Sequence, residues 1–254
     1  MRIVSMHAAN KSRKEIVDGF LARPLTNDAT PAVVLLHGYR GLDDAHKAIT
    51  RKFAREGFVC LSPDLFEGKI ANDPGVSAYL KTSLDIDRAV EKILDSVPYL
   101  RMLPFVRQRK IALSGFCMGG GLALYALARS ADFAAGVIFY QSLFPDAEEL
   151  KGINVPLQCH YGTGDQHTTK TEIAMFKAAL DKYRKKYEIH IYEGAGHAFL
   201  NNPAVKGRSN RRAADQSFLK TCKWLKKTAR LVLKIRLKPG DHLLHEPIHS
   251  LKHD

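Results

Sequence analysis

Strand-like apolar runs alternate with amphipathic helical stretches along most of this chain, and that alternation restricts the fold more than any other feature. "KEIVDGFLARP" (14–24) alternates in hydropathy and ends at Pro24, a strand followed by the turn "LTNDATP". "AVVLLHG" (32–38) and "FVCLSPD" (58–64) are continuous apolar runs, as expected of strands covered on both faces. Between them "DAHKAITRKFAREG" has helical spacing at Ala48, Phe53 and Ala54, and Gly57 ends it. Residues 78–97 read as one amphipathic helix, with Leu84, Ala89, Ile93 and Leu94 near one face. The strand "RKIALSG" then leads into a helix from Met118 to about Ser130. "AAGVIFY" (134–140), "VPLQCHYG" (155–162) and "YEIHIYEG" (187–194) read as further strands, with the helix "TKTEIAMFKAALDKYRK" between the last two. A helix over 210–227, with Phe218, Cys222 and Leu225 on one stripe, closes the pattern.

Such an order predicts an α/β fold: a mostly parallel central sheet with helices on both faces. The length of 254 residues suits a single domain of this kind, expected over 1–228. Residues 229–254, with little periodicity and four histidines, read as a tail. Ligands of such sheets bind at the carboxyl ends of the strands, so residues just past strand ends are the ones to inspect.

Gly115-Phe116-Cys117-Met118-Gly119 lies at one of these ends and has the form of a nucleophile elbow, G-x-S-x-G, with cysteine in the serine position. The flanking glycines keep side chains out of a tight strand-to-helix turn, and the helix N-terminus beside the sulfur favours thiolate. Packing alone also produces small-x-small turns before helices. Two further residues argue against that blander account here. Asp165 follows the strand 155–162 and His197 follows the strand 187–194, both on the edge that carries Cys117. The chain order nucleophile, acid, histidine is that of α/β-hydrolases. "LLHGYRG" (35–41) stands where an oxyanion loop is expected, which nominates the backbone N–H groups of Tyr39 and Met118 as the oxyanion hole. His37 reads as a structural histidine of that loop. His167 competes with His197 as base but has no strand-end glycine turn.

The net charge of +13 is local: residues 201–238 hold 12 Lys and Arg against one acidic residue, Asp215, and the remainder is close to balanced. That block reads as the solvated face of a late helix, with a surface for an anionic partner as the sharper alternative. No helix-turn-helix or RNP-type motif supports nucleic-acid binding. The four cysteines, Cys60, Cys117, Cys159 and Cys222, are dispersed and form no CxxC pair, which favours reduced thiols in a cytoplasm over disulfides or zinc ligation. No apolar run approaches the ~20 residues of a membrane span, and the first residues do not read as a signal peptide.

With these residues in place, the sequence resembles the dienelactone hydrolase family of α/β-hydrolases from about residue 14 to 227. The carrying segments are "GFLARP", "VVLLHGYRG", "LSPDLFEG", "GFCMGG", "GTGDQHT" and "GAGHAFLN". The resemblance implies the α/β-hydrolase fold, a triad of Cys117, Asp165 and His197, an oxyanion loop at Tyr39 and an aromatic beside the site at Tyr140. It also implies a carboxylic ester or lactone as substrate, acting as monomer or homodimer. No metal or organic cofactor is required. Family members place an acidic residue in the oxyanion loop and arginines on the substrate carboxylate. The matching positions here hold Gly38 and, for one arginine, Asn201. Arg40 and Lys69 are the remaining candidates for an anion, with a solvated loop charge as the stronger reading of each. The alternative to an enzyme is a hydrolase scaffold that binds an anionic partner through the basic segment 206–238.

Overall fold

The computed structural model describes residues 3–8, 18–202, 204 and 207–236. Its centre is an eight-stranded sheet in the order β1-β2-β4-β3-β5-β6-β7-β8. The five inner and late strands are the ones read from apolar runs: β3 (Thr30–Leu36), β4 (Val59–Pro63), β5 (Val106–Phe116), β6 (Ala135–Phe139) and β7 (Leu157–Gly162). They pair in parallel, and β8 (Tyr187–Tyr192) continues the parallel series at one edge. At the other edge β2 (Gly19–Pro24) pairs antiparallel with β4, and β1 (Ile3–Ala8) pairs antiparallel with β2. β1 has no counterpart among the strands expected from hydropathy, and the first residues of the strand expected over 14–24 lie outside the described residues.

Helices cover both faces, and side-chain alternation along the strands assigns each face its core. In β3, Ala32, Val34 and Leu36 point into one cluster and Val33 and Leu35 into the other. The first cluster packs under α3 (Ile86–Met102), α4 (Met118–Arg129) and α6 (Lys170–Lys182), through Ile93, Leu122 and Leu180 among others. The second packs under α1 (Asp44–Arg55) and α7 (Gly207–Arg236), through Phe53, Ala213 and Leu225. Each large aliphatic side chain so buried contributes about 1.5–3 kcal/mol, which is why the continuous apolar runs dictate the strands.

Two helical boundaries differ from the periodicity reading. The stretch 78–97 is two helices, α2 (Pro74–Thr82) and α3. Asp85 breaks it: its carboxylate accepts from the Arg88 N–H at 3.0 Å and caps α3. A short helix, α5 (Ala147–Leu150), also goes unmarked by periodicity. The closing helix α7 is 30 residues long and continues to Arg236, so 229–236 of the expected tail prolong it. Residues 237–254 lie outside the described residues. Among the described residues no helix is long and apolar enough to cross a membrane.

Candidate active site

Parallel pairing of β3 to β8 brings their carboxyl ends to one edge, and every triad candidate lies there. At the end of β5 the backbone turns sharply: Cys117 has φ 57° and ψ −124°. A positive φ is costly for a residue with a Cβ, and the surroundings enforce it. A Cβ on Gly115 would lie 2.2 Å from the Gly119 carbonyl oxygen, and one on Gly119 would lie 2.5 Å from the carbonyl of His37. Only glycine at both positions lets strand, helix and neighbouring loop close around the cysteine. The Cys117 N–H donates to the Phe139 carbonyl at 3.0 Å, fixing the elbow to β6.

His197 lies on the loop after β8. Its Nδ1 is 2.8 Å from Oδ2 of Asp165, whose side chain is almost fully buried. The other oxygen, Oδ1, accepts from the N–H groups of His167 at 2.8 Å and Thr168 at 3.1 Å. Asp165 thus turns one oxygen to its own loop and the other to the imidazole. Nδ1–H as donor leaves Nε2 free for the sulfur, and His197 and Cys117 each shift the other's ionisation. Burial alone would lower the imidazole pKa, but the hydrogen bonds with Asp165 and Cys117 outweigh it and lift it to about 9. Burial likewise raises the Cys117 thiol. The hydrogen bond and charge of His197, the Ser142 hydroxyl and the Met118 N–H together bring it below its ordinary value. Burial raises the Asp165 carboxyl, and His197 with the two loop N–H groups holds it below its ordinary value. The arrangement favours a thiolate–imidazolium pair.

The loop after β3 stands over the sulfur. A Cβ on Gly38 would be 3.3 Å from the Cys117 Cβ and 3.8 Å from Sγ, so a longer side chain at this position would stand against the thiol. His37 is buried and shapes the loop: Nδ1–H donates to the Gly38 carbonyl at 2.8 Å, and Nε2 accepts from the Leu65 N–H at 3.1 Å. The Gly41 N–H also binds that carbonyl, at 3.1 Å. A trans peptide points its C=O and N–H in opposite directions. Anchoring the Gly38 carbonyl therefore aims the Tyr39 N–H the other way.

Tyr140 is fully buried, with its ring 5.0 Å from that of His197 and 4.8 Å from Phe199. Its hydroxyl donates to Asn201 Oδ1 at 2.9 Å, so Tyr140 and Asn201 hold each other behind the histidine. Arg40 is exposed and pairs with Asp43 at 3.2 Å. Lys69 borders a separate cleft with Glu67, Arg88 and Lys92. His167 sits at the mouth of the site, 4.9 Å from the His197 ring. With Gly164, Gln166, Gly196, Ala198 and Asn202 these two histidines line a cleft of about 280 Å³. Backbone strain collects here: Cys117, Tyr140 and Ala198 all have positive φ. Ser142 is the residue the sequence did not nominate, and its Oγ lies 3.5 Å from the Cys117 sulfur. On α7, Arg212, Lys220, Lys223 and Lys227 are exposed, while Ala213, Ala214, Cys222 and Leu225 face the sheet.

The dienelactone hydrolase family model matches residues 17–229. The chain belongs to that family. Among curated relatives it is 32% identical over 195 residues to protein usf of Aquifex pyrophilus, covering 73% of this chain and 82% of that protein. It is 28% identical over 193 residues to carboxymethylenebutenolidase 1 of Cupriavidus pinatubonensis, covering 72% and 80%. Among solved structures, a dienelactone hydrolase-like promiscuous phosphotriesterase from metagenomic libraries superposes with a TM-score of 0.77 at 20% identity, covering 89% of this chain and 98% of that one. At that identity the likeness establishes the fold, which is the α/β-hydrolase fold that the family's members share.

Proposed function

We propose that this carboxylic ester or lactone hydrolase works through a Cys117–His197–Asp165 triad and a thioester acyl-enzyme. The observation that carries the reading is the aligned chain of groups at one sheet edge. A strained elbow presents Cys117, and His197, 2.8 Å from Asp165 through Nδ1, is close enough to the thiol for each to shift the other's ionisation. In the first half-reaction the thiolate attacks the substrate carbonyl carbon. A C–S bond forms, the ester C–O bond breaks, and the departing alkoxide takes the proton from His197. In the second, water gives a proton to His197 Nε2 and its oxygen bonds to the acyl carbon. The C–S bond breaks, the acid leaves, and the thiolate–imidazolium pair is restored. The Tyr39 and Met118 N–H groups hold the oxyanion in both.

The test is turnover of p-nitrophenyl acetate and a panel of short esters and lactones by wild type and Cys117→Ala, with intact-mass detection of an acyl adduct. Turnover that vanishes in the variant, with the adduct mapped to Cys117 in wild type, is the expected result. Wild-type kcat/KM retained by Cys117→Ala would overturn it.

A further inference from the structure

The helix that begins at Met118 opens with more glycine than the elbow needs. Gly119 serves the elbow, but Gly120 and Gly121 follow it. A Cβ on Gly120 would lie 3.1 Å from the Gln141 Cβ, and one on Gly121 would lie 2.4 Å from the Leu143 Cβ and 2.6 Å from its carbonyl oxygen. The bare first turn of α4 therefore lets the loop after β6 close directly on it. Between Gln141 and Leu143 is Ser142. Its N–H donates to the Cys117 carbonyl at 3.1 Å, its Oγ is 3.5 Å from Sγ, and its hydroxyl proton has the Tyr39 hydroxyl, also at 3.5 Å, as an alternative acceptor. Thr168 Oγ1 donates to the Gln141 carbonyl at 3.1 Å, tying the same loop to that of Asp165. Four points of contact hold a serine hydroxyl against the nucleophile.

We propose that Ser142 is a catalytic residue that donates a hydrogen bond to the Cys117 sulfur whenever it is anionic, and that it acts mainly in the second half-reaction by stabilising the departing thiolate. The inference rests on the thioester reading above. A neutral thioester sulfur is a weak acceptor, and a thiolate is a strong one. During acylation the sulfur loses its charge, so a donor already on the thiolate stabilises the ground state and gives no acceleration. During deacylation the charge returns to sulfur as the C–S bond breaks, and the same donor favours the transition state. His197, protonated by the attacking water, also faces the departing thiolate, and Ser142 adds a second donor that does not depend on the imidazole proton. Ser142 does not titrate near neutrality, so its contribution is the same across the working pH range. The Ser142 hydroxyl donates to Tyr39 at 3.5 Å, long for an O–H···O bond, and a thiolate is the stronger acceptor that draws the proton over; Tyr39→Phe, which removes the competing acceptor, leaves deacylation unchanged or slightly faster.

The experiment is stopped-flow release of p-nitrophenol from p-nitrophenyl acetate, with the acetyl adduct quantified by intact mass. It compares wild type, Ser142→Ala and Ser142→Thr at a pH where the thiolate is formed. The burst reads acylation and the steady state reads deacylation. Ser142→Ala is expected to slow deacylation roughly 10- to 100-fold, the range for one charge-assisted hydrogen bond, while the burst rate holds or rises. Acetyl-enzyme then accumulates, and Ser142→Thr restores the wild-type partition. A purely structural role lowers both phases together and is not rescued by threonine; that outcome, or an unchanged partition, overturns the proposal. Absence of any acetyl adduct on wild-type Cys117 is a different failure: it overturns the thioester reading itself.

Discussion

Two histidines on neighbouring elements, fully buried His160 and largely buried His197, show what reverses the charge preference of an imidazole that burial would keep neutral. His160 lies inside β7. Its Nδ1 bonds the Tyr192 hydroxyl at 2.9 Å, and its Nε2 contacts Gln158 Oε1 and Thr221 Oγ1, both at 3.1 Å. Its ring stacks between Phe139 and His190. All its hydrogen-bond partners are neutral, and burial drives its pKa well below the ordinary value. His197 also packs on an aromatic ring and also loses water, yet it is lifted to about 9. The difference is the carboxylate of Asp165 on one side and an ionisable thiol on the other. Burial sets the same sign for both, and the charged partners reverse it at one.

The comparison breaks first at the triad. Cys117→Ala and His197→Ala are expected to remove about 10⁶-fold in kcat, and Asp165→Asn about 10⁴-fold, by analogy with hydrolase triads that act as a unit. Asp165→Asn leaves Cys117 as the one ionisable side-chain partner of His197, and an NMR titration should find its imidazole much less protonated at pH 7 than in wild type. A His197 still protonated there would mean the carboxylate is not the deciding group. Stability is the complementary readout. His160→Phe strands the Tyr192 hydroxyl, at about 1–3 kcal/mol, while the Thr221 hydroxyl keeps Gln158 Oε1 as its acceptor at 3.3 Å. A lower denaturation midpoint with an unmoved pH–activity profile is the expected pattern, whereas a shifted profile would show that the two histidines are coupled.

A more modest effect concerns acidity. The pair titrates as a unit, so kcat/KM should fall in acid as the thiolate is protonated, and fall again above about pH 9 as His197 loses the proton it gives the alkoxide. Iodoacetamide inactivation of the free enzyme should show an apparent pKa clearly below the ~8.5 of a free thiol, and His197→Ala should return it there. Gly38→Glu would place a carboxylate against the sulfur and is expected to slow alkylation several-fold near neutrality, because a neighbouring anion disfavours thiolate. Faster alkylation would mean the introduced side chain turns away from the thiol. Smallest is truncation after Thr228, expected to leave turnover unchanged and to shift Tm by no more than a few degrees. A large fall in Tm would assign the end of α7 a packing role.

Most of the frame was legible because buried parallel strands write themselves as unbroken apolar runs, and because an elbow, an acid and a histidine at strand ends are local signals. What escaped was non-local or capped. Residues 78–97 keep helical hydropathy across the break at Asp85, and only the cap geometry separates α2 from α3. β1 has no distinctive run and depends on β2 for its pairing. Ser142 sits in an irregular loop 25 residues from the cysteine it touches. Its trace in the sequence was indirect: the two glycines of "MGGG" beyond the one the elbow uses.

The four cysteines divide sharply. Cys60, Cys159 and Cys222 are buried, with Cys60 raised well above its ordinary value and the other two raised to about 12, whereas Cys117 is partly exposed and lowered. The folded chain therefore behaves as a one-thiol protein although it carries four. An aromatic disulfide reagent will release one equivalent of chromophore per native molecule at neutral pH and four after denaturation. The ratio of those two readings is a census of working molecules that needs no substrate. A sample damaged by peroxide at the elbow would read zero native and three denatured, while a misfolded one would keep its total of four and read more than one in the native assay.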